Sequence, residues 1–409
     1  MSTLTDPPVE SFRLSQLIND TRYRSYTFQF IALLCLIGLM AYLGWNLIEN
    51  LATAGLNISY GFLEERSGYD INQRLIEYTS QSTHLRAAIV GVLNTLLVAV
   101  VGCTFATIIG VVVGVLRLSK NWLISKLMAV YVEIFRNVPV LIWILIVMAI
   151  FVAVLPQPRD FRGDDATASM FLGLFAFTGR GFYLPMPYFS AAWATGGTGW
   201  LVILAILAGA IVGTGRISHW ATVQQEATGV RPKTWPFTLG LWLIPLLAAF
   251  VIMGLHWEIP ALQGFNFQGG IFARNSFIAL TLALSIYTAA FIAENVRAGI
   301  LAISKGQTEA AASLGLRPRR IMNLVILPQA LRVIIPPLIS QYLNLTKNSS
   351  LAIAVGYMDL TGTLGGITLN QTGRAIECVL LLMLFYLTIS LAISGIMNVY
   401  NNSVKLKER

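Results

Sequence analysis

Charged residues are scarce in this chain. Asp, Glu, Lys and Arg make up 11% of its 409 residues, against 56% hydrophobic. A soluble globular domain carries charge at about a quarter of its positions, so that class is excluded. Cysteine is nearly absent: Cys35, Cys103 and Cys378 each lie inside an apolar run, and no disulfide framework or metal site is readable. His84, His219 and His256 are far apart and read as ordinary polar residues near membrane surfaces. No Gly-x-x-x-x-Gly-Lys-Ser/Thr run occurs, so the chain has no P-loop to cradle ATP phosphates. No Ser/His/Asp or metal-ligand constellation stands out, and neither catalysis nor a cofactor is expected. An internal repeat is also missing, which weakens a reading as an inverted-repeat secondary transporter.

What the chain does have is long apolar runs. Eight reach the length that crosses a bilayer as a helix, at roughly 28–48, 89–116, 128–154, 199–215, 237–256, 275–297, 333–355 and 378–400. The expected fold is therefore an all-α polytopic membrane protein with about eight transmembrane helices. The first run lies too deep in the chain, and is too long, to be a cleaved signal peptide.

The net charge of +9 follows the topology. With a cytoplasmic N-terminus, the inside segments hold Arg13, Arg22, Arg24, Arg117, Lys120, Lys126, Arg216, Arg231, Lys233, Lys305, Arg317, Arg319, Arg320, Arg332, Lys405, Lys407 and Arg409. Outside lie Arg66, Arg74, Arg86, Arg159, Arg162, Arg180, Arg274 and Arg374, a ratio of 17 to 8, with Arg136, Arg297 and Lys347 inside spans or at their ends. Excess Lys and Arg mark the cytoplasmic side, so both termini are expected there. The basic balance is topological, and nucleic acid is not an expected partner.

Two regions read as additions to a smaller core. Residues 1–88 supply one span and an outside segment, and 401–409 form a cytoplasmic tail. Residues 156–273 read as a two-span insertion into a domain covering 89–400. Its outside loop is rich in Gly, Pro and aromatics around Gly179–Pro185, and its inside loop, Arg216 to Pro236, reads as polar and irregular. Five core spans remain.

Several core segments carry distinctive residues. The first core span opens Gly91-Val92-Leu93-Asn94-Thr95-Leu96, and its Gly110 and Gly114 form a small-xxx-small pair that permits close helix approach. Glu133 and Arg136, like Glu294 and Arg297, stand three residues apart and so share a helix face. Charges so near hydrocarbon must pair, face the bundle interior or snorkel to the surface. These two pairs read as structural ion pairs, with a gating or coupling role as the alternative.

The segment Glu309 to Pro328 is the most informative. Glu309-Ala310-Ala311 favours helix, Gly315 suits a left-handed C-cap, and Pro318 suits the first turn of a second helix, with Val325-Ile326-Leu327-Pro328 closing the polar region. The bland reading is an amphipathic connector. The spacing Glu-Ala-Ala, three residues, Gly, nine residues, then Ile-x-Leu-Pro nevertheless resembles the coupling loop of ABC importer permeases, with Val325 in the Ile position as the departure. Tyr131-x-Glu133-x-x-Arg136-x-x-Pro139 and Ala293-Glu294-x-x-Arg297-x-Gly299 are similar to segments of the polar amino-acid importers, although Asn137 stands where Gly is common there. The long form resembles the permeases of general L-amino-acid and glutamate/glutamine/aspartate/asparagine systems.

That resemblance, over about 89–154 and 275–400, implies a type I ABC importer core of five helices in a bacterial inner membrane. It also implies L-amino acids as cargo, with ABC ATPase subunits, a second permease in a heterodimer and a periplasmic amino-acid-binding protein as partners. Glu309, Ala310, Ala311, Gly315, Leu327 and Pro328 would form the docking element, and ATP hydrolysis would reside in another subunit. An ABC permease for another small solute, or a channel or secondary transporter without an ATPase, are the rival readings. Pro336-Pro337 precedes a polar run, Asn344, Thr346, Lys347, Asn348 and Ser349. At 1.5 Å per residue, Lys347 lies about 15 Å beyond the double proline, where an ammonium needs an anion or a wet cavity. A substrate carboxylate is one partner; a structural polar cluster at a proline-broken helix is the alternative. Family members often have Asp where this chain has Asn348, so the in-sequence counter-ion is gone.

Overall fold

The computed structural model describes residues 18, 20–55, 57–163, 166–195 and 197–404. Arg13 and the basic tail residues Lys405, Lys407 and Arg409 lie outside the described residues. Residues 1–62 and 63–409 form two units. The first contains α1 (Thr21–Thr53), an apolar helix long enough to cross a membrane.

The second unit is built on α2 (His84–Leu116) and α7 (Asn275–Leu301). Thr83 caps α2 by accepting the Arg86 N–H, and Gly110 and Gly114 let the two helices touch. A Cβ on Gly114 would stand 2.7 Å from the Ala293 carbonyl oxygen, and one on Gly110 would stand 2.7 Å from the Ile292 Cβ. Around this seam Val98, Ala106, Leu280, Leu284, Ile292, Ile334 and Leu345 form the buried core.

The run expected as one span at 128–154 is two helices, α3 (Trp122–Asn137) and α4 (Val140–Val154), bent by 105°. Pro139 has no N–H to donate and forces Val138 into an extended conformation, so helix cannot pass through. Among the described residues, seven other helices are long and apolar enough to span.

Residues 156–273, expected as an insertion, hold α5 (Thr198–Thr228) and α6 (Trp235–Ile252). The expected irregular loop from Arg216 is a correction: α5 continues to Thr228, where Gly229 takes the left-handed conformation that ends it. Gln224, Gln225, Glu226 and Ala227 have good or tolerable helix propensity, and polarity alone does not stop a helix. Strands occur in the segments that precede α5 and follow α6. β1 (Ala176–Thr178), β2 (Gly181–Leu184) and β7 (Ile271–Arg274) form an antiparallel sheet, with β3 (Met186–Phe189) on β4 (Leu255–Glu258) and β5 (Ala261–Gln263) on β6 (Asn266–Gln268). They leave the class mainly helical.

After α7 come α8 (Lys305–Ser313) and α9 (Pro318–Ile321). A π-helical turn, Met322–Ile326, joins α9 directly to α10 (Leu327–Asn348). Pro336 and Pro337 do not break α10, contrary to the proline-broken alternative. A 3₁₀ turn (Ser349–Val355), a π-helical segment (Thr361–Thr368) and α11 (Leu369–Thr372) lead to α12 (Ala375–Val404).

Candidate functional site

The segment Glu309–Pro328 folds as a helix–turn–helix. Gly315 has φ +77°, and its N–H donates to the Ala312 carbonyl while Leu316 N–H donates to the Ala311 carbonyl. That left-handed turn closes α8, and Pro318 opens α9 at its first position. Ala311 and Ile321 are buried, and the two short helices pack against each other. The remaining surface is offered outward: Glu309 and Ala310 are exposed, Leu314 is 81% exposed and Leu324 66%. Leu327 is exposed and Pro328 half-buried at the start of α10. Arg317, Arg319 and Arg320 are exposed on the same segment.

The two Glu-x-x-Arg pairs diverge. Glu294 accepts from Arg297 at 2.7 Å, and Arg117, at the end of α2, also bonds the Glu294 carboxylate. This three-charge cluster ties α2 to α7 where both leave the apolar core. Glu133 and Arg136 do not pair, which corrects the expectation. The Glu133 carboxylate accepts from Asn137 Nδ2 at 3.2 Å, and the Arg136 guanidinium lies 5.3 Å from the Phe291 ring centre. Shared helix face brought them within reach, but an aromatic face on α7 offered the cation another partner.

The polar run on α10 is split by the helix. Thr346 and Ser349 are buried and satisfied within it, donating to the Tyr342 and Thr346 carbonyls at 2.8 Å each. Asn348 is half-buried, while Asn344 and Lys347, three residues apart, share an exposed face. The structure does not bring this run together with Glu309–Pro328.

The opening of α2 proves to be a clamp. Asn94 Nδ2 donates to the Gln73 and Met358 carbonyls at 2.8 Å each, and Thr95 Oγ1 accepts the Leu360 N–H at 3.1 Å. A Cβ on Gly91 would collide with Thr363 and Leu360. His84, expected near a surface, is buried, with Nδ1 3.0 Å from Thr368 Oγ1. Within this clamp sits Asp359, which sequence reasoning gave no role. It is fully buried; Gly362 N–H donates to Oδ1 at 2.8 Å and Tyr386 Oη to Oδ2 at 3.2 Å. Burial pushes its carboxyl up to about 7, against the pull of those two donors. The available signal was a lone acid in the connector between the last two spans, with no basic residue from Ser349 to Gly373.

Among the described residues no group of three His, Cys, Asp or Glu side chains could hold a metal ion. The features of the described residues are packed helices, an exposed hairpin that carries apolar and basic side chains, and buried polar clamps.

Comparison with known proteins agrees with that picture. The model of the binding-protein-dependent transport system inner membrane component matches residues 235–406. The chain is 54% identical to the glutamate/glutamine/aspartate/asparagine transport system permease protein BztB of Rhodobacter capsulatus, covering 100% of both chains. It is 46% identical to the general L-amino acid transport system permease protein AapQ of Rhizobium johnstonii, over 95% of this chain and 94% of that one. It is 43% identical to the putative amino-acid ABC transporter permease protein YhdX of Escherichia coli, over 94% and 95%. A multi-pass helical architecture and relatives 43–54% identical over 94–100% of the chain place it in the family of ABC transporter permease subunits, as an integral component of the inner membrane.

Proposed function

We propose that this permease carries L-amino acids inward and that Glu309–Pro328 is the element on which an ATPase subunit docks. The observation that carries the cargo reading is the full-length likeness to permeases of broad amino-acid systems. The docking reading is supported by the exposed helix–turn–helix, whose Gly315 turn fixes the angle between α8 and α9.

In this scheme the energy comes from an ATPase dimer, since the chain has no P-loop of its own. A second permease completes the pathway, and a periplasmic binding protein delivers the amino acid. Both termini and Glu309–Pro328 face the cytoplasm, a reading supported by the distribution of Lys and Arg. Because α9 runs through the π-helical turn into α10, a displacement of the hairpin is transmitted along one long helical rod. Lys347, exposed on the last turn of that rod, faces the translocation path and attracts the carboxylate of the cargo. The Glu294–Arg297–Arg117 cluster braces α2 against α7 while α10 moves.

Uptake of labelled amino acids tests this directly. A strain lacking the chain should lose uptake and regain it with the wild-type gene. Lys347→Met should restore membrane insertion without restoring uptake. Unchanged uptake in the deletion strain would overturn the cargo reading, and full uptake with Lys347→Met would remove that residue from the path.

A further inference from the structure

A second group of basic residues lies outside Glu309–Pro328, where β2 and β7 meet the start of α7. A cavity of about 410 Å³ opens between the β1–β2 turn, β7, the first turn of α7 and the 3₁₀ turn after α10. Arg180, Arg274, Asn275, Ser276 and Gly356 line it, and no acidic side chain does. Neither arginine belongs to an ion pair among the described residues.

The fold holds these groups in place. Gly181 pairs with Arg274 across β2 and β7, so Arg180 and Arg274 sit at the same end of that ladder. Thr178 Oγ1 accepts the N–H of Arg180 and of Gly181 at 3.2 Å each, which fixes the turn. Asn275 Nδ2 donates to the Thr178 carbonyl at 3.2 Å and ties that turn to α7. Asn275 is 2% exposed, yet its Oδ1 has no hydrogen-bond partner. Helix α7 is 27 residues long, and Arg274 at its N-cap makes no side-chain cap bond, so its first N–H groups and positive dipole end face the same space.

Two guanidinium groups, a helix N-terminus and a buried acceptor without a donor describe a receptor for a carboxylate with an ammonium beside it. Arginine's planar fork matches a carboxylate with two parallel hydrogen bonds. A second cavity, about 490 Å³, shares Arg180 and adds Arg159, which pairs with Asp160, and Arg162. A concave site with a buried unpaired acceptor suits a small molecule better than an acidic protein surface, which would need exposed charge alone.

We propose that this cavity is an outer vestibule, built by the insertion, that binds the carboxylate of an amino acid before it enters the core. The inference rests on the importer reading above. Its test is binding of isotope-labelled glutamate to the full-length wild-type chain in lipid nanodiscs, followed by saturation-transfer NMR. Saturable binding is expected, with Kd weakened about tenfold or more by Arg180→Gln and by Arg274→Gln, and largely kept by Arg274→Lys. Arg180 lies on an exposed turn, so its variant remains informative if the Arg274 variants fail to fold. Glutamine as a second ligand separates the two carboxylates: equal binding assigns the α-carboxylate, loss assigns the side chain. No binding by wild type, equal binding of butylamine, or binding that appears only with a binding protein present would overturn the vestibule. Uptake by the same variants in cells keeps the two readings apart. Normal wild-type uptake with failed binding removes only the vestibule, whereas absent wild-type uptake removes the importer reading itself.

Discussion

Helices α2 and α7 form one apolar pair and helices α5 and α6 another, and the two pairs meet in different ways. On α2, Gly110 and Gly114 press against backbone and β-carbons of α7, with no room for a methyl group. On α5, Gly213 meets only the tip of Leu241, Trp242 Nε1 donates to Thr214 Oγ1 at 3.0 Å, and Gly209 has nothing within 4 Å. Most of the outer pair faces outward: Leu201, Leu204, Ile211, Ile244 and Val251 are each more than 60% exposed. Helices in lipid gain little from apolarity alone, because the tails are as apolar as leucine; close backbone approach and polar contacts must fix their geometry. The inner pair has both and the outer pair has little of either.

The largest test of that contrast is Gly114→Leu. Its side chain meets the Ala293 carbonyl and the Val296 Cβ, so overpacking should cost about 3 kcal/mol. Thermal unfolding of the full-length protein in detergent should show a large loss, or no folded protein at all. The matched change on the outer pair, Gly209→Leu, should stay within about 1 kcal/mol and fall on the stabilising side, since nothing lies within 4 Å and leucine is the better helix former. Equal destabilisation by the two would erase the distinction.

Charge gives the next largest effect. Glu294→Gln leaves Arg117 and Arg297 side by side without their carboxylate, both partly shielded from water. A loss of about 2 kcal/mol is expected in the same melt, reduced from the fully buried case because the cluster is partly hydrated. Glu133→Gln keeps an acceptor for Asn137 and breaks no ion pair, so its change should lie below about 0.5 kcal/mol.

Asp359 gives a pH signature. Its folded carboxyl sits at about 7, above the ordinary 3.8, so the folded state favours the protonated form. That stabilisation is complete below the unfolded value and is lost as pH rises through about 7. Melting temperatures of wild type should therefore fall from pH 5 to pH 8 relative to Asp359→Asn, which is neutral throughout. Parallel curves for the two proteins would mean that the carboxyl titrates as an ordinary surface acid.

Much of this was readable in the residues. Apolar run length located the spanning helices, because no polar backbone can cross lipid unsatisfied. Gly315 and Pro318 announced the hairpin, since each suits few other backbone settings. Less was readable where a neighbour decides. Glu133 and Glu294 have the same spacing to an arginine, and only contacts on α7 and α2 separate their fates. The bend at Pro139 was written in the sequence, but the apolar run across it concealed it. Helix beyond Arg216 was hidden because polarity there reports solvent, not conformation. The strands near Arg180 and Arg274 pair residues some ninety positions apart, a register that local pattern does not contain.

The central claim is that the Gly315 turn sets the surface that an ATPase subunit recognises. At φ +77° a β-branched residue is strongly disfavoured, while nothing within 4 Å would obstruct its Cβ, so Gly315→Val acts on the backbone alone. The measurement is pull-down of the ATPase by the full-length variant, with ATP hydrolysis of the complex in reconstituted vesicles. Normal membrane insertion with loss of ATPase capture, or of binding-protein-stimulated hydrolysis, is the expected result, and Glu309→Ala should weaken capture less, by about 1 kcal/mol or below. Wild-type capture and hydrolysis by Gly315→Val would contradict the account.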